Sequence, residues 1–98
     1  MNGSEAKEIA LKYLSSLPIS NPEDQYILIE EMTLEKDYGW IFRFNSKLYI
    51  ETGDFFYALG GNGPMVVLKT TGELHQLSSA VPGEQAVKEF ENTINLAG

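Results

Sequence analysis

The chain has 98 residues, of which 43% are hydrophobic and 21% charged, and a formal net charge of −7. This length and ordinary globular composition predict one domain over 1–98. The chain has no cysteine, which excludes disulfides, thiolate zinc sites and cysteine nucleophiles, and its acidity disfavours nucleic acid and anionic membrane while favouring basic partners.

The opening residues MNGSEAKEIALKYL have neither a basic n-region nor an unbroken apolar core, so no secretory signal is read there. No apolar run approaches the roughly 20 residues of a membrane helix, and a cytoplasmic location is expected. Ser4 is a good N-cap, and Ala6, Ile9, Ala10, Tyr13, Leu14 and Leu17 recur at helical spacing before Pro18. An amphipathic helix is therefore predicted over 4–17.

Asn21-Pro22 marks a loop, and Tyr26 to Leu34 reads as a first strand, with a turn over Glu35 to Gly39. In the next segment Trp40, Phe42 and Phe44 point one way, and Ile41 and Arg43 the other. Asn45-Ser46 reads as a turn, Lys47 to Glu51 as a third strand, Thr52-Gly53-Asp54 as another turn, and Phe55 to Leu59 as a short extended piece. Met65 to Lys69 and Glu73 to Leu77 form a hairpin, with Gly72 at a left-handed position. Pro82-Gly83-Glu84 opens a last helix whose apolar stripe is Ala86, Val87, Phe90 and Ile94.

Helix, short strands, helix, with connections too short for parallel crossovers, predicts an α+β fold. The expectation is a single antiparallel sheet of 4–5 strands, with N- and C-terminal helices packed on one face. The first strand is apolar on both sides, so something else should cover part of the second face. Ile9, Tyr13, Leu14, Ile29, Trp40, Phe42, Val67, Val87 and Phe90 are the predicted core.

Chemistry is hard to find. His75 is the sole histidine, on a predicted strand, with no second ligand for a transition metal, and no serine sits in a G-x-S-x-G elbow. Gly60-Gly61-Asn62-Gly63-Pro64 leads into a strand rather than a helix and lacks the phosphate-loop lysine, so it reads as a tight connection needing positive φ. No calcium-loop pattern is present. The chain is read as a non-enzyme with no cofactor and no metal.

One geometric reading concerns binding. If the strands form a simple meander, the turns before the second strand and after the third share one end of the sheet. Glu35, Asp37, Glu51 and Asp54 would gather there, with Tyr38, Phe55, Phe56 and Tyr57 nearby. Aromatic residues ringed by acids suit docking of a basic protein.

Between Gly39 and Pro82 the chain resembles the YrhB-like immunity-protein family, the immunity protein 35 domain, of bacterial polymorphic toxin systems. The resemblance rests on Gly39-Trp40, Phe42, Phe44-Asn45-Ser46, Tyr49, Thr52-Gly53-Asp54, Leu59, Gly61-Asn62-Gly63-Pro64, Val66-Val67, Thr71-Gly72-Glu73 and Pro82. Leu68 and Thr70 stand where relatives often carry charged residues. The resemblance implies a protein that binds and neutralises a cognate toxin without catalysis, and carries over no active-site residues. The alternative is a cystatin-like or PepSY-like module that inhibits peptidases or binds another protein; such modules are usually exported.

Overall fold

A computed structural model of the protein describes residues 1–19, 21–54 and 63–97. The first helix, α1, spans Gly3–Ser16. Its cap is Asn2, not Ser4: Asn2 Oδ1 accepts from the Glu5 N–H at 2.9 Å, and Glu5 Oε1 accepts from the Asn2 N–H at 3.2 Å. This reciprocal box satisfies two amide groups at the helix start that have no partner within the helix. Pro18 disfavours helical backbone at Leu17, which turns to ψ 142° and ends the helix. Ala6, Ala10 and Leu14 are buried, and the two alanines let the helix lie close on the strands below.

The expected strand over Tyr26–Leu34 is two strands. β1 is Tyr26–Leu28, a 3-10 turn covers Glu30–Met32, and β2 is Leu34–Lys36. β3 (Gly39–Phe42) pairs with β2, and β4 (Phe44–Ser46) pairs with β1, both antiparallel. Leu28 lies opposite Phe44, but Leu34 lies opposite Ile41. Six steps on one arm thus meet three on the other, and the 3-10 turn holds the three extra residues. Their backbone closes locally, with the Met32 N–H on Ile29 O at 3.0 Å and the Thr33 N–H on Glu30 O at 3.1 Å. The excursion splits the ladder, so the single expected sheet is a two-stranded β1-β4 sheet and a four-stranded β2-β3-β5-β6 sheet.

The predicted third strand, Lys47 to Glu51, is a helix: α2 spans Lys47–Thr52. Ser46 Oγ caps it by accepting from the Tyr49 N–H at 3.2 Å, and Asp24 Oδ1 accepts from the Leu48 N–H at 3.1 Å. Gly53 closes it at φ 71°, a left-handed position that costs glycine little. Asp24 also accepts from the Ser46 hydroxyl. Burial opposes ionisation of this carboxylate, but the Ser46 hydroxyl and the Leu48, Gln25 and Lys47 amides outweigh it and hold Asp24 below its ordinary value.

β5 (Met65–Leu68) and β6 (Leu74–Gln76) complete the larger sheet, and Gly72 takes φ 74° in the turn between them, as expected. Gly63 is required for a different reason than positive φ: a Cβ there would lie 2.3 Å from Leu77 O. Phe55–Leu59 and Gly60–Asn62 fall outside the described residues.

The four-stranded sheet is covered on both sides. Trp40, Phe42, Met65 and Val67 share one face and pack with Ala6, Ala10 and Leu14 of α1, in a core that Phe44 of β4 joins. Ile41 and Val66 face the other way, 2% and 0% exposed, with His75 beside Val66. The last helix, α3 (Gly83–Ala97), covers that second face, and its Phe90 meets the rings of His75 and Tyr38 at 5.2 and 6.1 Å. The terminal helices therefore sandwich the sheet rather than share a face. The cause is local: β3 and β5 are apolar on both faces, and an uncovered Ile41–Val66 pair would leave that surface in water. Among the predicted core residues, Leu14, Trp40, Phe42 and Val67 are buried, while Ile9, Tyr13, Ile29, Val87 and Phe90 are partly covered at its rim.

Candidate functional site

The residues predicted to gather at one end are divided between two places. Glu35, Asp37 and Tyr38 belong to the β2–β3 hairpin, whereas Glu51 lies on α2 and Asp54 just after it. The chain from Gly39 to Ser46 connects the two groups, so they attach to opposite ends of that arm. Because the third strand is a helix, the meander that was to unite them does not form. Phe55, Phe56 and Tyr57 lie outside the described residues.

On the hairpin, Lys69 Nζ meets Glu35 Oε2 at 3.0 Å and stands 5.1 Å above the Trp40 ring. Asp37 is exposed at the tip. Tyr38 is tied to α3: its hydroxyl donates to Glu91 Oε2 at 2.8 Å while its ring rests against Phe90. Burial, reinforced by that carboxylate as acceptor and as negative charge, pushes the Tyr38 phenol well above its ordinary value of 10.0. A raised value means the folded state holds the proton. Its stabilising effect is complete below the ordinary value and fades as pH rises through the folded one. In a base titration followed at 295 nm, wild type minus Tyr38→Phe should therefore show no phenolate signal near pH 10. A signal with an ordinary midpoint would place the ring in solvent.

Lys47 pairs with Glu51 at 3.6 Å on α2, and Lys7 pairs with Glu30 across α1 and the 3-10 turn. His75 has a buried Nε2, 3.3 Å from Glu73 Oε2 but off the line of a hydrogen bond, and the ring packs on Phe90. Among the described residues no cluster of three or more His, Asp or Glu could hold a metal ion, and no helix is long and apolar enough to cross a membrane.

A feature that sequence reasoning missed lies beside the hairpin. β2 and α3 leave a cleft of about 260 Å³ between them, lined by Leu34, Lys36, Arg43 and, from α3, Gly83, Glu84, Val87, Lys88 and Glu91. Leu34 and Lys36 point into it because their register partners, Ile41 and Gly39, lie on the α3 side of the sheet. The alternation that puts Arg43 opposite Trp40 and Phe42 was legible, but what it faces was not.

The profile of immunity protein 35 matches residues 4–92, from α1 through most of α3. The chain belongs to the immunity protein 35 family. Both the hairpin and the cleft lie inside the matched span. Over 53 residues the chain is 40% identical to the Escherichia coli (strain K12) protein called "Uncharacterized protein YrhB". That stretch is 54% of this chain and 56% of the relative, so the chain spans about half the length of the relative it matches. No solved structure matches the chain. The family assignment supports an immunity role in general; it designates no site residue.

Proposed function

We propose that this protein binds a cognate bacterial toxin in the cytoplasm and neutralises it by non-catalytic association. The observation that carries this reading is the immunity-family match over residues 4–92. The net charge of −7 supports a toxin with a basic contact surface. The exposed hairpin acids Glu35 and Asp37 are the proposed electrostatic contact, with Glu51 and Asp54 as a second, separate acidic group.

The test is co-expression with the product of the adjacent gene, whose expression alone should arrest growth. This chain should restore growth and co-elute with that product. Failure of both would overturn the reading. The contact has its own kinetic signature, because exposed charges act mainly on association and are screened within about 8 Å at physiological salt. Glu35→Lys combined with Asp37→Lys should slow association about tenfold at low salt. The melting temperature should barely move, since exposed pairs such as Glu35–Lys69 contribute only about 0–1 kcal/mol. Unchanged association at low salt would remove the hairpin acids from the interface.

A further inference from the structure

We propose that the cleft between β2 and α3 seats an extended segment of the partner protein, one that carries an apolar side chain beside a carboxylate. The identity of the partner rests on the toxin reading above; the chemistry of the cleft does not.

The charge pattern comes first. Acids outnumber bases 14 to 7 in this chain, yet Lys36, Arg43 and Lys88 all line this one cleft. Lys7, Lys36, Lys47 and Lys69 each meet a carboxylate. Among the described residues, Arg43 and Lys88 meet none within 4.0 Å, although Glu84 lines the same cleft; its other acid, Glu91, is held by Tyr38 and Lys36. Arg43 is also half-buried, its guanidinium pressed on the first residue of α3: a Cβ on Gly83 would fall 2.5 Å from Nη1. A partly desolvated guanidinium without a counter-charge is costly, and an incoming carboxylate can satisfy its planar fork with two hydrogen bonds.

The apolar part is equally specific. Leu34 is 53% exposed, and Val87 faces it across the cleft. The volume suits one or two side chains rather than a large cofactor. The occupant is a polypeptide because the cleft runs along β2, the edge of the four-stranded sheet. The outer side of that edge is unpaired among the described residues. Such an edge accepts an added strand through its backbone groups. A second copy of this chain fits poorly, since antiparallel pairing of two β2 strands about their central residue would set Glu35 of one copy directly opposite Glu35 of the other.

The first arm of the test uses fragments. N-acetyl-leucine, N-acetyl-leucinamide and sodium acetate are titrated separately into the labelled protein, followed by amide chemical shifts. N-acetyl-leucine should shift Leu34, Gly83, Val87 and Lys88 saturably; the amide, lacking the charge, and acetate, lacking the apolar body, should not. Arg43→Gln should weaken that binding at least tenfold, and Lys88→Gln, at an exposed position that cannot threaten folding, should weaken it less. Equal shifts with all three fragments, no shifts, or full binding by both variants would overturn the proposal. So would β2 shifts that depend on protein concentration alone, which would make a second copy the occupant.

The second arm uses the adjacent-gene toxin. Arg43→Gln should speed its dissociation at least tenfold. If wild type neutralises that toxin and both variants dissociate at the wild-type rate, the cleft proposal fails while the toxin reading stands. If wild type binds no toxin, the toxin reading fails, and the fragments still decide the cleft.

Discussion

Trp40→Ala should lower the unfolding free energy by about 3–5 kcal/mol, the range for emptying a large aromatic site. Trp40 is 6% exposed in the middle of β3, with Val67 as its partner on β5 and Glu35 on β2. Its indole reaches the start of α1, where a Cβ on Gly3 would lie 3.5 Å from Nε1. It therefore joins the helix to the sheet, and its loss opens a void between layers that cannot collapse without moving α1. At about 4–8 °C per kcal/mol for a domain of this size, the midpoint should fall by about 12 °C or more. Thermal unfolding followed by far-ultraviolet circular dichroism measures this directly. A midpoint within a few degrees of wild type would show that the indole is not part of the core.

Gly39→Ala should be comparably damaging although it adds only one methyl. A Cβ on Gly39 would sit 2.1 Å from Val67 O, 3.0 Å from Val67 C and 3.1 Å from Leu68 Cα. These are backbone atoms of the central strand, so no side-chain rotation relieves the clash. β3 and β5 would have to separate where Gly39 pairs with Leu68 and where the Lys69 N–H reaches Tyr38 O at 2.9 Å. The expected loss is about 3 kcal/mol, at the upper end for overpacking, measured by urea unfolding against wild type. Gly53→Ala is the contrast: nothing lies within 4 Å of that Cβ, and only the cost of φ 71° remains, about 1 kcal/mol. If the two substitutions cost the same, close strand approach is not what requires Gly39.

Much of the architecture follows from local pattern. The stripes of α1 and α3, the β5–β6 hairpin, the left-handed Gly72 and the alternation of Trp40, Phe42 and Phe44 are properties of neighbouring residues, and period and turn chemistry report them. The 3-10 excursion was not legible, because Tyr26 to Leu34 keeps a β-like composition through the break; only register against Phe42–Phe44 shows that three residues are extra. For α2 there was a signal: Ser46 before the segment, a Lys47–Glu51 pair at helical spacing and Gly53 after it. β-branched and aromatic composition outweighed that signal, and the Asp24 carboxylate on the Leu48 amide comes from 24 residues away.

The candidate site divides along the same line. Acidic excess and an exposed hairpin tip are readable from composition and turn residues, as is the family. That Lys69 neutralises Glu35, that Tyr38 is fastened to Glu91, and that Arg43 presses on Gly83 of α3 with no carboxylate of the described residues within 4.0 Å all depend on residues 34 to 53 positions apart or on packing between layers. The sequence by itself determined the helices at the ends, the antiparallel hairpins, the charge and the family, since these depend on short-range periodicity and on residue identity. The tertiary structure alone decided that the helices lie on opposite faces of the sheet and that a cationic, partly apolar cleft opens between β2 and α3. Burying both apolar faces of β3 and β5 needs two covering layers, and the second layer brings distant charges to the sheet edge.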